Sequence, residues 1–118
     1  KIGVDCTLSV GDIGIGFRPY NNDNYLKNGK TWAPEIDYGW HKWIRGNHDD
    51  PNMCKLHSNY LGNFGYIKKA DIFFISGGLS IDKEYRIENI SWWKDEELNY
   101  EQTMQCIEEY IFIIKFCH

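Results

Sequence analysis

Basic excess, paired cysteines, repeats and long apolar runs are all missing from this 118-residue chain, and each absence removes a class of explanation. Thirteen Lys and Arg stand against seventeen Asp and Glu, for a formal charge of −4. A surface that tracks a nucleic-acid backbone needs clustered positive excess, so nucleic acid is not the expected partner. A small phosphorylated substrate stays open, because a bound metal supplies positive charge that composition does not count. The four cysteines, Cys6, Cys54, Cys106 and Cys117, form no CxxC pair, and a chain of this length with an ample core has no need of disulfides. They read as reduced thiols. The apolar run Ile111 to Ile114, four residues long and unsurpassed among the Ile, Leu, Val and Phe runs, is too short to cross a bilayer, and no charged-then-apolar leader follows Lys1. No membrane partner and a cytoplasmic setting are expected. With no linker in evidence, residues 1–118 are expected to form a single domain. Lys1 stands where Met would start a chain, and His118 follows directly on an apolar run, so that domain is expected to be cut at both ends.

What the chain does have is core material: 42% hydrophobic residues, 16% aromatic. Three short β-rich segments each stop at glycine: Thr7-Leu8-Ser9-Val10 at Gly11, Trp43-Ile44-Arg45 at Gly46, and Asp71 to Ser76 at Gly77-Gly78. The apolar run Ile111 to Phe116 reads as a fourth strand, covered on both faces. Asp50-Pro51 offers an N-cap followed by proline at the first helical position, with Met53, Leu56 and Tyr60 at helical spacing after it. Asn99 and Gln102 have capping-box spacing, and Tyr100, Met104, Ile107 and Ile111 follow on one face. Alternating strands and helices predict an α/β fold with a largely parallel sheet. The stretch from Gly16 to Gly39 is loop-like, and loops of that length often sit over an active site.

Polar clusters follow two of the strands: Gly11-Asp12, and Gly46-Asn47-His48-Asp49. In open α/β sheets ligands bind in the crevice at the carboxyl ends of the strands. Asp and Asn supply oxygen ligands, and His supplies nitrogen or a transferable proton. Such donors suit manganese, iron or zinc rather than a soft thiolate site.

These two clusters resemble two motifs of the calcineurin-like metallophosphoesterases. The similarity to a phage-associated branch of that family extends through Gly11–Phe17, Ile44–Pro51, Gly77–Arg86 and Ser91–Leu98. The resemblance implies a layered α/β/β/α sandwich, incomplete in this chain. It implies a hydrolase that uses two divalent metal ions (Mn, Fe or Zn), in which a metal-activated hydroxide attacks a phosphate ester. A phosphoprotein or a small phosphoester is the implied substrate. Asp12 would bridge the two metals, and Asn47 would bind one of them through its amide oxygen. His118 would be a further ligand, placed after the strand Ile111–Phe116. His48 would face the substrate as an acid or transition-state stabiliser, with Asp49 hydrogen-bonded to it. Arg45 and Arg86 would contact phosphate. The family's Asp-x-His and Gly-His-x-His motifs have no counterpart here, since Asp5 is followed by Cys6 and Thr7.

Two other functions stay open on the sequence. One is a non-catalytic remnant that keeps the fold and a weak single-metal site. The other is a nucleic-acid module stacking bases on Trp92, Trp93 and Tyr85. Blander roles also stand beside the sharp ones. Asp12 suits a turn, and His48-Asp49 suits a helix start. Cys54 and His57 have a CxxH spacing that zinc could use, or occupy a helix surface. His41, between Trp40 and Trp43, suits packing. Trp92-Trp93 suits a core, Asp95-Glu96-Glu97 a solvated acidic run, and Asp82, Lys83 and Arg86 a surface ion-pair set.

Overall fold

The structure, a computed structural model, describes residues 6–17 and 41–117. His118 and most of the loop between Gly16 and Gly39 lie outside them. The described residues form a mixed α/β arrangement: strand β1 (Thr7–Val10), strand β2 (His41–Ile44), a short helix α1 (Pro51–Cys54), strands β3 (Phe64–Ile67) and β4 (Ile72–Ile75), and helix α2 (Tyr100–Phe116). A single 3-10 turn, Lys83–Tyr85, precedes α2.

β1 and β2 pair in parallel, with Val10 opposite Ile44. β3 and β4 form a separate antiparallel hairpin, Phe64 opposite Ile75. Among the described residues the largely parallel sheet expected from sequence is replaced by two two-stranded sheets, of which the first is parallel and the second antiparallel. The hairpin reverses through residues 68–71, where Asp71 takes the left-handed conformation (φ 54°) that Asp tolerates better than most side chains.

Both predicted helix starts are present, and one predicted strand is not. The Asp50 carboxylate accepts from the backbone N–H groups of Asn52 and Met53, with Pro51 next in line. α1 nevertheless ends at Cys54, so Leu56 and Tyr60 do not continue it. Tyr60 instead bridges back to Trp43, their rings 4.9 Å apart. At Asn99 the capping box closes in both directions with Gln102. The helix it starts runs unbroken to Phe116, so Ile111–Phe116 is helical rather than a strand. Once a helix is nucleated each further residue adds a bond at little cost, and among the described residues no strand pairs with this segment. α2 packs on β3, and Tyr110 meets Phe73 edge-on at 5.2 Å.

Ile15, Trp43 and Cys54 are completely buried together, with Ile13, Met53 and Tyr60 around them. Burying a side chain such as Ile15 completely stabilises by about 1.5–3 kcal/mol. This core joins the turn after β1, strand β2 and α1, and so sets how the two polar clusters meet.

Candidate functional site

Parallel strands in register end side by side, so the turns that leave β1 and β2 must touch. They do so at their glycines. Gly11 has φ +111°, and a Cβ there would lie 3.0 Å from both Cα and N of Gly46. A Cβ on Gly46 would overlap the carboxylate of Asp12. Two glycines are therefore what lets the backbones approach and brings Asp12 beside the Asn47-His48 turn. Asp12 itself has φ +53°, an uncommon conformation for a residue other than glycine and one that recurs at functional sites.

The Asp12 carboxylate holds His48 twice. One oxygen accepts the His48 backbone N–H at 3.1 Å, and the other lies 3.0 Å from Nδ1 of the ring. On the far side of the ring, Nε2 lies 2.8 Å from a terminal nitrogen of Arg86. A guanidinium only donates, so Nε2 is the acceptor and Nδ1 carries the proton given to Asp12. The two contacts together define the tautomer of the His48 ring. Phe17 packs edge-on against it, with ring centroids 4.7 Å apart.

Asp49 does not orient His48, contrary to expectation. It is completely buried, and its two oxygens accept four backbone N–H groups, those of Ile13 (3.2 Å), Gly14 (2.6 Å), Ile15 (3.0 Å) and Gly46 (2.8 Å). Amides from both turns converge on one carboxylate, which clamps the turns together; bonds to a charged acceptor are the strong kind.

Arg45 is also not where a phosphate contact would be. Only 3% exposed, it donates to the Tyr60 hydroxyl and the Asn63 amide oxygen, both at 2.8 Å, and weakly to the Asp95 carbonyl at 3.4 Å. These partners make it an internal strut. The cleft of about 300 Å³ beside it is lined by Lys55, Asn63, Lys94, Asp95 and the start of α2, and by no residue of the Asp12–Asn47–His48 group. Burial raises the Tyr60 phenol, an effect partly offset by the Arg45 charge.

Arg86 is brought into the site. Besides His48 it meets Asp82 at 2.8 Å and donates to the Ser80 hydroxyl at 3.0 Å, and its guanidinium lies 5.7 Å from the Phe17 ring centre. The surface ion pair foreseen for Asp82 and Arg86 exists, with Arg86 mostly covered.

Two residues of the site escaped the sequence. Glu96, expected in a solvated acidic run, is 2% exposed, and Ser80 is as deeply buried. The Glu96 carboxylate accepts the Ser80 backbone N–H at 2.7 Å and its hydroxyl at 2.8 Å. The Asn47 side-chain amide donates to the same hydroxyl at 3.2 Å. Glu96 follows the buried Trp93, and that proximity to a large apolar anchor was the one available signal.

The remaining candidates resolve into structural roles. Cys54 lies at the centre of the core, and burial, then the nearby Asp49 charge, push its thiol far above the ordinary range. It is neither a surface position nor a thiolate ready for zinc. His41 lies within β2 and bonds across to the Thr7 hydroxyl at 2.6 Å. Trp93 is 2% exposed, which removes it from any base-stacking surface, while Lys83 lies over the Trp92 ring.

Asp12 and Asn47 offer a carboxylate and an amide oxygen, hard donors that suit a divalent cation. They are only two ligands. Among the described residues no three His, Cys, Asp or Glu side chains group to hold a metal ion, so these residues do not by themselves assemble the two-metal centre that the resemblance implies. His118 lies outside the described residues. Comparison of the chain with protein-family models, with curated proteins and with solved structures gives no match in any of the three.

Proposed function

We propose that this chain belongs to a metal-dependent phosphoester hydrolase of the calcineurin-like type, with a layered α/β/β/α sandwich of which the chain carries an incomplete form. A phosphoprotein is the substrate class suggested by the likeness to the phage-associated branch. A reducing, cytoplasmic setting accords with four unpaired thiols. Among the described residues no helix is long and apolar enough to cross a membrane.

The observation that carries this function is the meeting of Gly11-Asp12 with Gly46-Asn47-His48 at the ends of two parallel strands. Arg86 is the anion contact: its donors now spent on His48 and Asp82 can turn to phosphate oxygens, in the geometry for which guanidinium is suited. That turn frees Nε2 of His48, which can then hold a proton and pass it to the leaving oxygen. Asp12 fixes the ring throughout by its double hold. A divalent cation at Asp12 and Asn47 would lower the pKa of water and so supply the nucleophile near neutral pH. The test is turnover of p-nitrophenyl phosphate with Mn²⁺ present. Turnover that His48→Ala abolishes supports the assignment, and turnover indifferent to that substitution rejects it.

A second function has its own support. Among the described residues no three His, Cys, Asp or Glu side chains group to hold a metal ion, which suits a non-catalytic remnant with one weak cation site. One bound Mn²⁺ or none, with no turnover, would favour it.

A further inference from the structure

We infer that the buried Ser80–Glu96 pair is the positioning device of the site, fixing which end of the Asn47 amide faces outward and where the Arg86 guanidinium lies. The geometry stands alone; its consequence for cation binding rests on the proposed phosphoester chemistry.

Proton counting at a single hydroxyl fixes the orientation. Ser80 Oγ has one proton and two lone pairs. The Glu96 carboxylate accepts on both oxygens, taking the Ser80 backbone N–H at 2.7 Å and the hydroxyl proton at 2.8 Å. Both lone pairs then face donors, Arg86 at 3.0 Å and Asn47 Nδ2 at 3.2 Å. The hydroxyl is saturated. Asn47 can only present its NH₂ to Ser80, because no proton remains there for an amide oxygen to accept. Its Oδ1 is thus turned away and accepts no hydrogen bond among the described residues, which is the state a hard cation requires.

The same oxygen anchors one end of Arg86, whose other end reaches His48 at 2.8 Å and Asp82. Glu96 is itself held in place, since its carbonyl accepts from Gly78 N at 3.2 Å and leaves no room for a side chain at Gly77. Ser80 and Glu96 touch no substrate; they act through Asn47 and Arg86.

Glu96→Gln gives a prediction that simple loss of packing does not. The introduced amide must keep its oxygen on the Ser80 backbone N–H, which turns its NH₂ toward Ser80 Oγ. That fills the lone pair used by Asn47, so the hydroxyl proton swings to Asn47, and the Asn47 amide must flip. Its NH₂ then faces outward and repels a cation. Adding Asn47→Asp to this variant presents oxygen on both sides and undoes the harm.

The experiment uses the full chain, labelled with ¹⁵N, in wild type, Glu96→Gln, Ser80→Ala and the Glu96→Gln/Asn47→Asp double variant. It reads solvent exchange of the Asn47 side-chain amide by NMR and binding of Mn²⁺ by titration. Exchange should quicken in both single variants. Mn²⁺ affinity should fall about 10- to 100-fold, as is common when the partner of a ligand is removed, and should return in the double variant. Unchanged Asn47 exchange and unchanged Mn²⁺ affinity in the folded single variants would overturn the positioning role while leaving the phosphoester assignment intact. If wild type binds no Mn²⁺, the cation assignment fails, and Asn47 exchange alone decides for or against the pair. If Glu96→Gln does not fold, Ser80→Ala decides by the same two measurements.

Discussion

The Asp12 carboxylate grips His48 at two points, the backbone N–H at 3.1 Å and ring Nδ1 at 3.0 Å. Asn in place of Asp12 can satisfy one of these but not both, since an amide offers one oxygen and one NH₂. Asp12→Asn should therefore release the ring from its tautomer and cost at least about 100-fold in p-nitrophenyl phosphate turnover, as should His48→Ala. Circular dichroism of both variants should match wild type, because neither side chain lies in the core.

On the proposed function, the two arginines separate stability from substrate binding. Arg45→Ala removes the strut to Tyr60 and Asn63 and should lower the free energy of unfolding by about 3 kcal/mol in urea titration. It should leave KM of the folded fraction unchanged. Arg86→Lys keeps the charge but loses the fork that spans His48, Ser80 and Asp82. Its KM should rise roughly tenfold, a change of about 1.4 kcal/mol, with little effect on unfolding.

Asp49 is predicted to be the most costly polar residue to remove. Asp49→Ala strands four backbone N–H groups where the two turns meet, and each unsatisfied buried donor costs about 1–3 kcal/mol. The variant should unfold at least about 3 kcal/mol more easily in urea, or fail to fold at 37 °C. A loss under about 1 kcal/mol would contradict the clamp.

The thiols should divide by burial. Cys6 and Cys117 are exposed, whereas Cys54 is fully buried with its thiol raised by that burial, so it carries almost no reactive thiolate at neutral pH. Native alkylation followed by mass spectrometry should label Cys6 and Cys117 first and Cys54 last.

Tyr66 gives a prediction on pH. Its hydroxyl donates to Asp71 at 2.6 Å, and this bond is the main reason its ionisation is pushed up to about 12. A proton held more tightly when folded stabilises the fold below the ordinary phenol value near 10 and is lost as pH rises through about 12. Absorbance titration should place one phenol there, and Asp71→Asn should bring it down.

Short-range chemistry was the legible part of this chain. Strands β1, β2 and β4 announced themselves by branched and aromatic residues ending at glycine, and the caps Asp50 and Asn99 by the residues beside them. β3 went unseen because Phe64-Gly65-Tyr66-Ile67 carries a glycine and no alternation; its strand form comes from pairing with β4. Ile111–Phe116 was misread because a short apolar run fits strand or helix equally, and the choice was made upstream at the capping box. At the site, Asp12, Asn47, His48 and Arg86 were visible as motif residues. Three of the four partners of Asp49 were not, since they are backbone amides more than thirty positions away. Glu96 was hidden between two charged neighbours, with the buried Trp93 just before it as the one local sign that it turns inward.

On the proposed function, the turns after β1 and β2 bring Asp12 and Asn47 to one cation. Titrating Mn²⁺ into ¹⁵N-labelled protein tests it directly, because the ion broadens resonances close to it. Broadening of Asp12, Asn47 and His48 together, at a single stoichiometry, is the predicted result. Broadening confined to the exposed carboxylates of Glu108 and Glu109, with residues 12 and 47 untouched, would contradict it.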